Sequence, residues 1–218
     1  MENIELSNIK KIYFVGIGGI GMSAIARYFL LRGCEVHGYD RTETELTKNL
    51  AREGMKIHYT DDVAYIPEAV DLVVFTPAIP KEHTELMYFQ EKKYPILKRA
   101  AVLGIISRGM KCIAVAGTHG KTTTSSIVTH ILRVGGIDVT AFLGGISLDL
   151  GSNFVEGKSD WMVVEADEYD RSFLTLHPYI TVITSVDADH LDIYGDLNAM
   201  HQTYTQFASQ VQNDGEYL

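Results

Sequence analysis

The sequence has few cysteines and prolines and no excess of positive charge. Of its 218 residues, 2 are cysteine and 5 are proline, and the formal net charge is −9. The scattered cysteines, Cys34 and Cys112, make neither a disulfide framework nor a paired-thiol metal site. An acidic chain without a basic patch lacks what nucleic-acid binding needs, so we expect no nucleic-acid partner.

Long apolar stretches are also missing. The apolar, uncharged stretch 12–26 is too short and too rich in glycine to span a membrane. Residues 1–11 carry acids where a signal peptide has its apolar core. We therefore expect a cytoplasmic protein without membrane insertion. The composition, 46% hydrophobic and 22% charged, is typical of a globular chain of one or two domains.

Short apolar runs alternate with helical patterns along the chain. The runs lie at 12–15, 35–39, 72–75, 112–116, 161–164 and 179–184. Such alternation predicts an α/β fold built on parallel sheets. The pattern restarts after residue 108, so we predict one domain over residues 1–108 and a second over 109–218.

The segment Gly117–Thr122 carries the strongest functional signal. It reads GTHGKT between a predicted strand and a predicted helix, with Val115 where the general P-loop has its first glycine. Glycines let the backbone approach phosphates, and the helix N-terminus attracts anions. We predict that Lys121 reaches the terminal phosphates of ATP and that the Thr122 hydroxyl binds Mg²⁺. The other predicted ATP contacts are Gly117, Thr118, His119, Gly120 and Thr123.

Polar residues follow two further buried strands. Glu165 comes directly after the run 161–164, where a P-loop enzyme needs a carboxylate to help hold its metal. The run 179–184 leads into DADHLD, Asp187–Asp192. Ligands bind at the carboxyl ends of parallel strands. There, the roles open to His190 are metal ligand, phosphate donor and structural loop residue. The residues alone favour the structural role, because Mg²⁺ prefers oxygen ligands.

A second glycine-rich turn lies near the N-terminus. Gly16–Gly21 reads GIGGIG between a predicted strand and helix, and Asp40 ends the next strand. Alone, this pattern indicates NAD binding, with the acid on a ribose hydroxyl. The turn holds any diphosphate at a helix N-terminus, however, so a UDP-linked sugar fits equally well.

Five motifs, taken together and in order, resemble the Mur ligase family over essentially the whole chain. They are FVGIGGIGMS (14–23), TPAIP (76–80), AVAGTHGKTTT (114–124), EADEYD (165–170) and DADHLDIYG (187–195). The resemblance implies a ligase of peptidoglycan synthesis. ATP would phosphorylate the lactyl carboxylate of UDP-N-acetylmuramate, and L-alanine would attack the acyl phosphate. EADEYD and GGISLDLG (144–151) also resemble a family member that attaches a tripeptide to the same sugar acid.

The resemblance also implies roles for individual residues. The UDP part would be held by Gly18, Gly19, Ile20, Gly21, Met22, Asp40, Thr76, Pro77, Ala78 and Ile79. The catalytic group would be Lys121, His119, Glu165 and His190. The ligands of Mg²⁺ or Mn²⁺ would be Thr122, Glu165 and His190.

Two features depart from the family pattern. Many relatives carry a carbamylated lysine shortly after the DHxD motif, whereas no lysine follows Lys158 here. The family also has a C-terminal domain that closes on ATP and helps bind the amino acid. The sequence stops at Leu218, inside the expected central domain. We therefore expect a Rossmann-like domain and part of a P-loop-type ATPase domain, without full turnover by this piece alone.

Two other functional classes stay open on the sequence. An NAD-dependent oxidoreductase or regulator rests on GIGGIG and Asp40, but hydride transfer needs no ATP loop. A non-catalytic ATP switch would bind nucleotide only to change a partner interaction, and it would make no acyl phosphate.

Overall fold

The computed structural model describes residues 4–189, 191–211 and 216–217. The chain folds as two compact units, Met1–Val102 and Leu103–Leu218, and each has its own sheet. Both units are α/β, as the alternation of strands and helices predicts. Within the described ranges, no helix is long and apolar enough to cross a membrane.

The first unit is built on a five-stranded parallel sheet in the order β3-β2-β1-β4-β5. Its strands are β1 (Lys11–Val15), β2 (Glu35–Tyr39), β3 (Lys56–His58), β4 (Leu72–Phe75) and β5 (Ile96–Lys98). Its helices are α1 (Ile20–Leu31), α2 (Glu45–Arg52), α3 (Thr84–Glu91) and α4 (Arg99–Arg108), which runs on into the second unit. The central strand β1 therefore feeds the glycine loop, as in nucleotide-binding Rossmann folds.

The core of the first unit lies against β1. Ile12, Tyr13, Phe14 and Val15 are all fully buried, because neighbouring strands and both faces of the sheet are covered. Tyr13 packs against Phe89 of α3 with ring centroids 5.0 Å apart.

A carboxyl group is buried in this core. The Tyr13 hydroxyl donates to Glu85 Oε2 at 2.5 Å, and Glu85 is fully buried. Burial raises the pKa of Glu85 to about 7. His58 Nε2 lies 3.5 Å from Glu85 Oε1, and burial lowers the pKa of this histidine. Burial therefore favours the neutral forms of both side chains.

The second unit has a six-stranded sheet in the order β11-β10-β6-β9-β7-β8. Its strands are β6 (Lys111–Ala116), β7 (Thr140–Ser147), β8 (Ser152–Val155), β9 (Trp161–Glu165), β10 (Pro178–Ile183) and β11 (Glu216–Tyr217). Its helices are α5 (Lys121–Val134), α6 (Leu191–Tyr194) and α7 (Leu197–Ala208). All strand pairs are parallel except β7 with β8, a hairpin that the sequence analysis does not predict.

Candidate active site

Three neighbouring strands of the second unit end at one edge of its sheet. β6 pairs in parallel with β10 on one side and with β9 on the other. The loops that follow these strands, 117–120, 166–168 and 184–187, therefore meet at the same edge. This is the edge where open parallel sheets bind their ligands.

The loop after β6 has a shape that requires glycine. Gly117 has φ +132° and Gly120 has φ +79°, both in the left-handed region. A Cβ at Gly117 would also lie 2.1 Å from Thr184 Oγ1 and 2.9 Å from Ser185 N. The loop therefore packs tightly on the end of β10, and only glycine fits at position 117.

The next two loop residues are fastened to the segment after β10. The Thr118 backbone N–H donates to Ser185 O at 3.0 Å, and Asp187 N donates to Thr118 Oγ1 at 3.1 Å. His119 N donates to Ser185 Oγ at 3.2 Å. The His119 side chain is 76% exposed, and its Nε2 lies 3.9 Å from Asp187 Oδ2. Thr118 thus fixes the loop, whereas the His119 imidazole is accessible to a ligand.

Helix capping distinguishes the two glycine loops from other helix starts. Side chains of Thr44, His83 and Asp196 accept hydrogen bonds from the first turns of α2, α3 and α7. α1 and α5 begin after Gly19 and Gly120, and neither has a side-chain cap. The N–H groups of a helix's first turn attract anions when no side chain caps them.

Lys121 lies at the start of α5 and folds back over the loop. Its Nζ donates to Gly117 O at 2.6 Å and to Glu168 Oε1 at 2.8 Å. The Lys121 and Glu168 side chains are only 17% and 3% exposed. Glu168 is not among the predicted site residues. The sequence feature that could have identified Glu168 is its position in EADEYD, three residues after Glu165.

A contact from α6 holds the backbone at Glu168, in the loop after β9. The Tyr194 hydroxyl donates to Glu168 O at 2.5 Å. Burial, with a smaller contribution from the Glu168 charge, raises the pKa of Tyr194 to about 12. Asp170 and Arg171 have φ of 52° and 54°, a left-handed conformation that is strained for residues other than glycine.

Glu165 and Thr122 flank two consecutive glycines of β7. Gly144 N donates to Glu165 Oε2 at 3.0 Å, and a Cβ at Gly144 would lie 2.2 Å from Glu165 Oε1. A Cβ at Gly145 would lie 3.3 Å from the Thr122 methyl carbon. The two predicted metal ligands therefore approach the same short stretch of backbone.

These oxygen ligands fit a magnesium ion. Within the described ranges, no group of three or more His, Cys, Asp or Glu side chains is arranged to hold a metal. Mg²⁺ needs no such group, because it binds one or two protein oxygens together with substrate phosphates and water. The Thr122 hydroxyl and the Glu165 carboxylate would supply two such oxygens. The third predicted ligand, His190, lies outside the described residues.

In the first unit, the glycine loop is closed by Asp40. Gly18 N donates to Asp40 Oδ2 at 2.7 Å, and Thr42 N donates to Oδ1 at 3.2 Å. A Cβ at Gly18 would lie 2.8 Å from Asp40 Oδ2. The acid thus binds the loop backbone itself, a contact that the sequence pattern does not predict.

The other residues predicted to bind the UDP part lie around the same loop. Cβ at Gly16 would lie 3.1 Å from Ile79 Cδ1 and 3.4 Å from Thr76 Cγ2, so the TPAIP segment packs on the loop. Gly19, Ile20, Pro77 and Ala78 are exposed, and Gly18 and Gly21 are half-buried. Met22 is buried in the core, which favours a packing role for its side chain.

Two family models together match nearly the whole chain. The model of the Mur ligase family catalytic domain matches residues 11–111, and that of the Mur ligase middle domain matches residues 115–218. The chain belongs to the Mur ligase family. The resemblance carried by the five motifs is thereby confirmed.

Curated relatives of this Mur ligase chain are named UDP-N-acetylmuramate–L-alanine ligase. The one from Christiangramia forsetii is 50% identical over 97% of this chain and 48% of its own length. The one from Flavobacterium johnsoniae is 53% identical over 96% of this chain and 48% of its own length. The chain thus spans about half the length of these relatives.

Solved Mur ligase structures share the fold. The UDP-N-acetylmuramate–alanine ligase from Thermotoga maritima has a TM-score of 0.87 at 34% identity, covering 94% of this chain and 48% of that one. A ligase from Neisseria meningitides, titled UDP-N-acetylmuramate:L-alanyl-gamma-D-glutamyl-meso-diaminopimelate ligase, has a TM-score of 0.88 at 25% identity, covering 96% of this chain and 70% of that one.

Proposed function

We propose that this chain is the nucleotide-handling part of an ATP-dependent ligase that joins L-alanine to UDP-N-acetylmuramate in cytoplasmic peptidoglycan synthesis. The main support for the proposal is the loop 117–120, with Lys121 folded over it. Thr122 and Glu165 lie beside two consecutive glycines of β7. The name of the curated relatives at about half identity supports the choice of substrates.

The proposed reaction has two chemical steps. An oxygen of the lactyl carboxylate attacks the γ-phosphorus of ATP, the bond to the β–γ bridging oxygen breaks, and ADP leaves with that electron pair. The neutral amine of L-alanine then attacks the acyl phosphate carbon. The tetrahedral intermediate expels inorganic phosphate, and the nitrogen loses a proton to leave the amide.

The residues of the second unit suit the first step. Phosphoryl transfer depends mainly on positioning and on neutralising charge. The Lys121 ammonium and the uncapped start of α5 would stabilise the transferring phosphoryl group. Thr122 and Glu165, with His190 by family resemblance, would hold Mg²⁺, which neutralises phosphate charge when bound. The exposed His119 imidazole would lie near the reacting groups.

The first unit would bind the UDP part. The start of α1, which has no side-chain cap, and the exposed Gly19 beside it suit a diphosphate. Thr76–Ile79 would cover it from the adjoining segment. Asp40 would act by shaping the loop through Gly18, and by offering its remaining carboxylate lone pairs to the ribose.

Phosphate release by the full-length protein tests the proposal. We expect release that needs ATP, UDP-N-acetylmuramate and L-alanine together. Lys121→Ala is expected to lower kcat at least about 100-fold, the scale of one electrostatic transition-state contact, while UDP-N-acetylmuramate binding measured by calorimetry stays unchanged. Lys158→Ala removes an exposed lysine from the loop before β9 and serves as the control.

Two outcomes would replace the proposal. Phosphate release that needs a tripeptide instead of L-alanine would identify the tripeptide-attaching activity that EADEYD and GGISLDLG also resemble. Tight binding of NAD without any response to UDP-N-acetylmuramate would instead support the oxidoreductase or regulator alternative.

A further inference from the structure

The acid that contacts Lys121 is not Glu165, the acid that is predicted to hold the metal. Glu168 Oε1 accepts from Lys121 Nζ at 2.8 Å, whereas Glu165 Oε2 accepts from the backbone of Gly144 at 3.0 Å. Both belong to the EADEYD segment but face different partners. A buried ion pair is weak evidence for a role in stability, because desolvation offsets much of its attraction. The Glu168 carboxylate therefore calls for a functional explanation.

The Lys121 ammonium is held from two sides. Its Nζ donates to Gly117 O at 2.6 Å and to Glu168. An ammonium has three donors, so these two contacts leave one for a ligand. They also order the flexible four-carbon side chain of Lys121 before nucleotide binds, so less conformational entropy is lost on binding.

Glu168 is itself held firmly. Its side chain is 3% exposed, and its backbone carbonyl accepts from the Tyr194 hydroxyl. The two left-handed residues Asp170 and Arg171 follow closely in the same segment. Such conformations persist only where the surrounding structure imposes them, and they cluster at functional sites. The segment thus presents the carboxylate to Lys121 from a fixed backbone.

We propose that Glu168 is a positioning residue for phosphoryl transfer, holding the Lys121 ammonium against the Gly117 carbonyl with one N–H left for the terminal phosphates. This inference rests on the proposed function, since it assigns Glu168 a task in the same reaction. Glu168 touches neither ATP nor the reacting atoms and acts through Lys121. Because a carboxylate repels phosphates, its removal is not expected to weaken ATP binding.

Kinetics of the full-length protein separate positioning from a merely structural role. We expect Glu168→Gln to lower kcat roughly 10- to 100-fold, the range of one charge-assisted hydrogen bond, without raising KM for ATP. The matched control is Glu156→Gln, which makes the same change on an exposed side chain just after β8, outside the EADEYD segment. Because an exposed substitution away from the site has little effect, this variant should keep wild-type kcat.

A double-mutant cycle tests whether Glu168 acts through Lys121. If it does, Glu168→Gln causes no further loss of kcat in a Lys121→Ala protein. The same loss in both backgrounds, or wild-type kcat in Glu168→Gln alone, would overturn the proposal. If Glu168→Gln does not fold, Glu168→Asp decides by the same criterion, with a smaller loss expected because its carboxylate falls short of Nζ.

A spectroscopic measurement on the chain itself needs no turnover. We expect the ¹⁵N ammonium signal of Lys121, assigned by its loss in Lys121→Ala, to be visible in the wild type. Loss of the ion pair in Glu168→Gln should broaden it through exchange with water, and an unchanged signal would contradict the proposal. An absence of alanine-dependent phosphate release in the wild type would instead contradict the proposed function alone.

Discussion

Replacing Gly144 with alanine tests the placement of Glu165 without changing the acid. A Cβ at this position would lie 2.2–2.4 Å from three atoms of the Glu165 carboxyl group. Carbon atoms not bonded to each other rest at about 3.5–4.0 Å, so the carboxyl group must move by about 1 Å or more. The backbone at Gly144 is not in the left-handed region, so alanine adds no backbone strain at this position.

The expected effect on activity is much larger than the effect on stability. The displaced atoms are the end of a flexible, half-buried side chain, so we expect the free energy of unfolding to fall by less than about 1 kcal/mol. A displacement of about 1 Å at a reacting centre costs on the order of 100-fold in rate. We therefore expect kcat of the full-length protein to fall about 100-fold.

Phosphate release at saturating substrates gives kcat, and urea unfolding of the chain gives stability. Gly145→Ala is the matched control, because its Cβ would meet only the Thr122 methyl carbon, at 3.3 Å. We expect this variant to lose less than about tenfold in kcat. Wild-type kcat in Gly144→Ala, or equal losses in the two variants, would refute the argument that Gly144 leaves space for a working carboxylate.

Three further predictions concern the two glycine loops and the buried carboxyl. Gly117→Ala should lower the free energy of unfolding by more than about 2 kcal/mol in urea, and by more than Gly120→Ala, whose Cβ would meet nothing within 4 Å. Because the pKa of Glu85 is raised from 4.5 to about 7, its stabilising effect is present below pH 4.5 and is lost as the pH rises through 7. In urea unfolding, the wild type should be less stable at pH 8 than at pH 4.5 by up to about 3 kcal/mol, and Glu85→Gln should remove this difference. A pH dependence of stability that is unchanged in Glu85→Gln would contradict the raised pKa. Asp40→Ala should weaken UDP-N-acetylmuramate binding about tenfold in calorimetry, whereas Asp40→Asn, which keeps an acceptor for Gly18 N, should retain more of the affinity.

Periodicity and glycine turns were sufficient to predict the α/β fold and most of its strands. The predicted runs 35–39 and 72–75 coincide with β2 and β4. The hairpin of β7 and β8 was not predicted. β7 is buried over its first four residues and then alternates between exposed and half-buried at Gly144–Ser147. That change of pattern in mid-strand gives no clear strand signal.

For the candidate site, the sequence predicted the loop before α5 but not the contacts that this loop makes. GTHGKT indicated the loop and Lys121, since glycine spacing reports backbone shape directly. The partner of Lys121 depends on how a segment with two left-handed residues turns, and sequence spacing does not report that. The same holds for Asp40, because its rotamer decides whether it faces a ligand or the Gly18 N–H.

The Asp40 contact has a consequence for redesign. In dinucleotide-binding enzymes, the acid after the second strand hydrogen-bonds a ribose hydroxyl. Here the Asp40 carboxylate also accepts hydrogen bonds from the backbone of Gly18 in the glycine loop and of Thr42 after β2. An exchange at this position would therefore alter the glycine loop itself. The exposed Pro77 and Ala78, in the TPAIP segment next to that loop, are a better starting point for changing the proposed specificity.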